Sequence, residues 1–151
     1  LSLKEYTEPF DTVSICLSKS LGCPIGSILV GNKNTIQRAK HFRKLFGGGW
    51  RQAGILAICA KYAIDNHWDR LSIDHENAQY LRNELINLGF NEDIKTETNQ
   101  IWISSKTDAL NNINFNQLPE FCRKHGILIP DMTSTCRLVT HLQTSKSSCE
   151  K

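Results

Sequence analysis

The chain has 151 residues, 40% hydrophobic and 22% charged, with Lys+Arg 18 against Asp+Glu 15, a net charge of +3 and a sequence pI near 8.6. One ordinary domain's worth of chain with that apolar share can fill a core, which excludes wholesale disorder. The longest uncharged apolar stretch, residues 53–60, falls well short of the roughly 18 apolar residues a spanning helix needs, so no membrane segment is expected.

The first residues, Leu1-Ser2-Leu3-Lys4-Glu5, lack an initiator Met and the basic-then-apolar pattern of a signal peptide, and they read as a non-native start. Residues 10–17 (FDTVSICL) and 26–30 (GSILV) are β-rich runs, nearly continuous in apolar residues, the pattern of interior strands covered on two faces. A polar, Gly- and Pro-punctuated turn from Ser18 to Pro24 joins them. A helix is predicted from about Asn34 to Phe46, with Ile36, Ala39, Phe42 and Phe46 on one side and cations on the others, stopped by Gly47-Gly48-Gly49. Residues 51–65 are apolar on most sides and predict a buried helix. A longer amphipathic helix is predicted over 67–88, where Leu71, Ala78, Leu81, Leu85 and Leu88 recur at helical spacing before Gly89. Short strands are expected at 93–96 and 100–104, then an Asn-rich loop over 110–116, a helix ending at His125-Gly126, and strands at 127–129 and 136–141. A small α+β unit after a long helix divides the chain near residues 66–90. The polar tail, 144–151, closes no element and reads as truncated.

Charge is more informative by place than by sum. Residues 12–64 contain no acid and eight bases, namely Lys19, Lys33, Arg38, Lys40, Arg43, Lys44, Arg51 and Lys61; ten bases and all fifteen acids lie elsewhere. Such a block faces an anion (nucleic acid, an acidic membrane surface, a phosphorylated ligand) or is a solvated basic face. Six cysteines without a CxxC pair read as reduced, mostly buried thiols of an intracellular protein. Cys122, His125, Cys136 and His141 are zinc-type donors in a short span, but Cys122 falls on the apolar side of its helix, and Cys136 and His141 point to opposite sides of a strand. No metal site is expected.

Two side chains carry chemistry by position. Lys19 lies on a turn between strands, where an amine held in place can form an imine, although a loop lysine also reads as a solvated charge. Arg137 shares a strand face with Val139 and His141, suited to a bidentate grip on a carboxylate or simply pointing to water. Gly47-Gly48-Gly49 followed by Arg51 and a helix start has the form of an anion site. There is no Gly-Lys-Ser/Thr phosphate loop, G-x-G-x-x-G, H-E-x-x-H or G-x-S-x-G.

Residues 14–27 (SICLSKSLGCPIGS), 41–44 (HFRK), 47–54 (GGGWRQAG) and 137–142 (RLVTHL) together resemble the low-specificity L-threonine aldolases of the β-eliminating lyase group. The resemblance runs from about residue 3 to 143. It implies a pyridoxal 5'-phosphate enzyme of the fold type I, α/β class, of which this chain is the C-terminal half. Residues 1–66 would complete the large cofactor-binding domain, 67–90 form a connecting helix, and 91–151 make a small, incomplete α+β domain. The lysine matching Lys19 is the one covalently bound to the cofactor, the arginine matching Arg51 reaches the phosphate from a neighbouring subunit, and the lysine matching Lys44 lies close by. Arg137 matches the arginine that holds the substrate carboxylate. The implied protein is a cytoplasmic homodimer or homotetramer that cleaves L-threonine or L-allo-threonine to glycine and acetaldehyde, with no nucleic-acid or membrane partner. The remaining cofactor contacts belong to the preceding half in such enzymes, so the chain alone is expected to be inactive. Cys23, Trp50 and Gln143 depart from the family's usual residues. Two other readings share these residues: a related pyridoxal-phosphate lyase or racemase, and a non-catalytic basic domain that binds nucleic acid.

Overall fold

The computed structural model describes residues 2–90, 94–104, 115–130 and 135–150. The chain forms two compact units, residues 1–69 and 70–151. The first opens with a short helix, α1 (Leu3–Thr7), under a capping box in which Ser2 and Glu5 satisfy each other's backbone N–H groups. Strands β1 (Thr12–Cys16) and β2 (Ser27–Gly31) follow, paired antiparallel with Thr12 opposite Gly31 and Cys16 opposite Ser27.

The predicted strands are present, but neither is covered on both faces. Among the described residues β1 and β2 make a two-stranded ribbon, and Leu29 and Val30 remain 45% and 49% exposed. An unbroken apolar run records an affinity for burial; it does not supply the layers that would bury it.

Helix α2 (Lys33–Leu45) begins after Asn32, whose side-chain oxygen accepts the Thr35 N–H at 2.9 Å. It ends where Gly47 enters the left-handed region at φ 80°. Phe42 and Phe46 share a face as expected and stack at 6.2 Å, yet both are exposed. Helix α3 (Gly54–His67) corrects the buried-helix reading: only Ala60 and Ala63 are buried, while Ile55 and Ile58 are 70% and 69% exposed. It also starts later than predicted, because Gln52, at φ 58°, turns the chain out of helical geometry.

In the second unit, α4 (Leu71–Asn87) starts beyond His67, which instead ends α3. Its Ala78, Leu81 and Leu85 pack against Ile101 and Ile103 of β3 (Gln100–Ser104), Cys136 of β4 (Thr135–Val139), and Ile94. Leu88 falls off this stripe and is 76% exposed. The strands β3 and β4 pair antiparallel, with Trp102 opposite Arg137. Before α5 (Leu118–Lys124) comes a 3₁₀ turn (Phe115–Gln117); after it, Gly126 takes φ 76° at the predicted stop.

Residues 94–96 are not a strand. The Ile94 and Thr96 carbonyls accept hydrogen bonds from the Arg82 and Gln79 side chains of α4 at 2.8 and 2.6 Å, which takes them out of a β-ladder. Residues 127–129 form no strand either. Residue 93 and residues 110–114 of the Asn-rich loop lie outside the described part. The tail does close an element: a short helix, α6 (Lys146–Cys149), capped by Ser145. No described helix is long and apolar enough to cross a membrane.

Candidate functional site

Lys19 sits on the turn between β1 and β2, exposed, with its backbone closed from both sides. The Leu17 N–H donates to the Gly26 carbonyl and the Cys23 N–H to the Leu17 carbonyl, each at 3.0 Å, while the Gly22 N–H reaches the Lys19 carbonyl at 2.7 Å. Gly22 adopts φ 75°, where a Cβ is strained. Leu17 and Leu21, 5% and 4% exposed, pin the turn on either side of the lysine.

The turn is fastened to α3 as well. A ring nitrogen of His67, Nδ1, lies 2.8 Å from the Leu21 carbonyl oxygen; since a carbonyl only accepts, Nδ1 carries the proton. The Cys23 thiol donates to the Cys59 carbonyl at 3.7 Å, and Tyr62 meets the His67 ring edge-on at 5.6 Å. The sequence reading placed His67 at the start of the following helix and assigned it no role. No spacing in the sequence marks that role, since Leu21 lies 46 residues away.

Two cysteines beside the lysine behave oppositely. Hydrogen bonding to Ser18, with Sγ to Oγ at 3.6 Å, and the nearby Lys19 charge hold the Cys16 thiol below its ordinary range. Burial pushes the Cys23 thiol up. Of the six free cysteines only Cys23 and Cys136 are buried and four are half-buried, fewer than the sequence reading expected.

Lys44 occupies the last turn of α2, and Arg51 follows the glycine run; both are exposed. Two of the three glycines do not present free amides as an anion site would. Gly48 and Gly47 donate to the Arg43 and Lys44 carbonyls at 2.7 and 3.2 Å, capping α2, and α3 begins only at Gly54. A Cβ on Gly48 would meet Arg43 Cγ at 3.0 Å and its carbonyl oxygen at 3.1 Å, so a side chain there would have to displace Arg43 by a few tenths of an ångström. A Cβ on Gly49 would lie 3.6 Å from Lys44 Cγ, so the chain leading to Arg51 doubles back along the Lys44 stem. The first unit thus holds Lys19 on its hairpin, Lys44 on α2 and Arg51 in the turn that leads into α3.

Arg137 belongs to the second unit. It lies on the outer face of β4, exposed, with its guanidinium carbon over the Trp102 ring, 5.7 Å from the centroid. The inner face carries Cys136 and Leu138. His125 Nδ1 donates to the Phe121 carbonyl at 2.9 Å, and among the described residues no group of three or more His, Cys, Asp or Glu could hold a metal.

A family model described as beta-eliminating lyase matches residues 1–107 of this chain. The chain belongs to the beta-eliminating lyase family. The match spans the hairpin with Lys19, the glycine run and Arg51. Relatives of this chain include the low specificity L-threonine aldolase of Escherichia coli K12, 40% identical over 95% of this chain and 41% of its own. The low-specificity L-threonine aldolases of Candida albicans and Saccharomyces cerevisiae are each 37% identical over 99% of this chain, covering 38% and 37% of theirs. The chain therefore spans about two-fifths of the length of these relatives. Its fold is shared with 8-amino-7-oxononanoate synthase from Francisella tularensis, at a TM-score of 0.68 and 14% identity over 92% of this chain and 42% of the other.

Proposed function

We propose that this chain is the lysine-bearing C-terminal half of a pyridoxal 5'-phosphate-dependent low-specificity threonine aldolase that cleaves L-threonine and L-allo-threonine to glycine and acetaldehyde. The observation that carries it is Lys19: an exposed primary amine on a turn locked by three backbone hydrogen bonds and two links to α3, in a chain akin to threonine aldolases. The residues present fit the cofactor. An aldehyde needs an amine, which Lys19 supplies, and a phosphate needs cations, which Lys44 and Arg51 supply with no carboxylate within ion-pair distance of either among the described residues.

The bound cofactor supplies an electron sink for the charge developed at the substrate Cα. Lys19 Nζ would hold the cofactor through its aldehyde carbon and is the amine that the substrate amine would replace. Arg51, acting across a homodimer or homotetramer contact, and Lys44 would hold the phosphate. Arg137 orients the substrate through its carboxylate. In the retro-aldol step the Cα–Cβ bond breaks as the β-hydroxyl loses its proton, acetaldehyde leaves, and Cα takes up a proton to give glycine. We place residues 1–66 in the large domain, 67–90 in a connecting helix and 91–151 in the small domain, in a cytoplasmic enzyme.

In the full-length protein, Lys19→Ala is expected to abolish both the visible absorbance of lysine-bound cofactor and acetaldehyde release. Persistence of that absorbance with cofactor bound would overturn the assignment of Lys19. Loss of the band beside a wild-type enzyme that binds cofactor yet releases no acetaldehyde from threonine would replace the aldolase by a related lyase or racemase.

A further inference from the structure

We propose that Trp102 is a positioning residue for carboxylate recognition: its indole face holds the Arg137 guanidinium so that the in-plane N–H fork is presented to the substrate. The inference rests on the assignment of Arg137 to the substrate carboxylate and goes beyond it to what prepares that arginine. The β3–β4 register sets Trp102 directly opposite Arg137, on the face away from the hydrophobic core. There the guanidinium carbon lies over the ring at 5.7 Å from its centroid, within cation–π reach.

The rest of that face leaves the cation unneutralised. Its other members are Gln100, Ser104, Thr135 and Val139, none acidic, and among the described residues no carboxylate lies within ion-pair distance of Arg137. Stacking engages the π-surface of the guanidinium and leaves its edge donors free for a bidentate acceptor. An exposed arginine without such a platform samples many rotamers and loses that freedom when it closes on a ligand. Trp102 is itself 49% exposed, with Ile101 and Ile103 on the core side carrying the packing of the strand. Its ring is thus largely spare from the fold and available to the arginine.

The test uses the full-length holoenzyme and three variants, Trp102→Ala, Trp102→Leu and Trp102→Phe. The alanine and leucine variants are expected to raise KM for L-threonine by about three- to thirtyfold with kcat within about twofold, and phenylalanine to restore most of the loss. Leucine keeps an apolar side chain on the strand, so its failure to rescue separates ring chemistry from folding. Glycine is expected to change tryptophan emission in the wild type, and methylamine, which lacks the carboxylate, is not; that component disappears in Trp102→Phe. Unchanged KM and unchanged emission response in the Trp102 variants, beside a raised KM in Arg137→Gln, would overturn the platform and leave the carboxylate assignment standing. An Arg137→Gln enzyme with wild-type KM would overturn both.

Discussion

The role proposed for Lys19 needs a backbone that stays still, and the neighbours rather than the lysine provide it. Gly22 permits the turn, Leu17 and Leu21 bury its shoulders, and His67 grips the Leu21 carbonyl from a helix 46 residues further along the chain. The same turn separates the cysteines by chemistry. Ser18 and Lys19 lower the pKa of Cys16, so its thiolate forms at lower pH than that of a free cysteine. Burial raises that of Cys23, Cys122, Cys136 and Cys149, whose thiolates need more alkaline solution. Brief alkylation of the native protein near about pH 7.5, read by mass spectrometry, is expected to label Cys16 ahead of these four, and the order should collapse in denaturant. Equal labelling of Cys16 and Cys23 in the folded state would show that the Ser18 contact is not made. The lysine itself was legible in its motif, whereas the His67 grip was not, because a contact between two distant positions leaves no spacing to read.

Local chemistry decided where the elements begin and stop. Asn32 caps α2, and its removal in Asn32→Ala is expected to destabilise the protein by about 1 kcal/mol, seen as a lower urea midpoint with an unchanged slope. A midpoint equal to wild type would mean that the Thr35 N–H finds water at no cost. The glycine stops at Gly47 and Gly126 fell where their sequence positions predict, since only glycine takes the left-handed geometry there without strain. The start of α3 did not. Nothing in the run from Arg51 announces that Gln52 will adopt φ 58°, and the Gly47 and Gly48 amides, two of the three expected to receive an anion, are spent on α2 carbonyls. The strand expected at 94–96 failed for a related reason: Arg82 and Gln79, side chains of a different element, take its carbonyls.

For the whole molecule, the apolar residues without cover matter most. Phe46, Trp50, Ile55, Ile58 and Tyr62 are between 61% and 80% exposed, and Ile15, Ile28, Val30, Ile64 and Trp68 line an open groove beside the hairpin. On the proposed reading, the rest of the enzyme and its partner subunit cover these surfaces. The isolated 151-residue chain is therefore expected to bind an apolar dye such as anilinonaphthalene sulfonate under native conditions, and the full-length protein is not. Strong dye binding by both would mean that the faces stay open in the assembled protein. By itself, the sequence determined where apolar side chains gather, which face of α4 packs, where glycine must stop a helix and which lysine and arginines belong to a family motif. All of these rest on local spacing or residue type. Only the tertiary structure decided that 54–67 is an exposed helix, that β1 and β2 pair with each other, and that Trp102 stands across from Arg137. Periodicity marks a side chain as ready for burial or charge, but which distant residue meets it follows from register and packing between segments far apart in the chain.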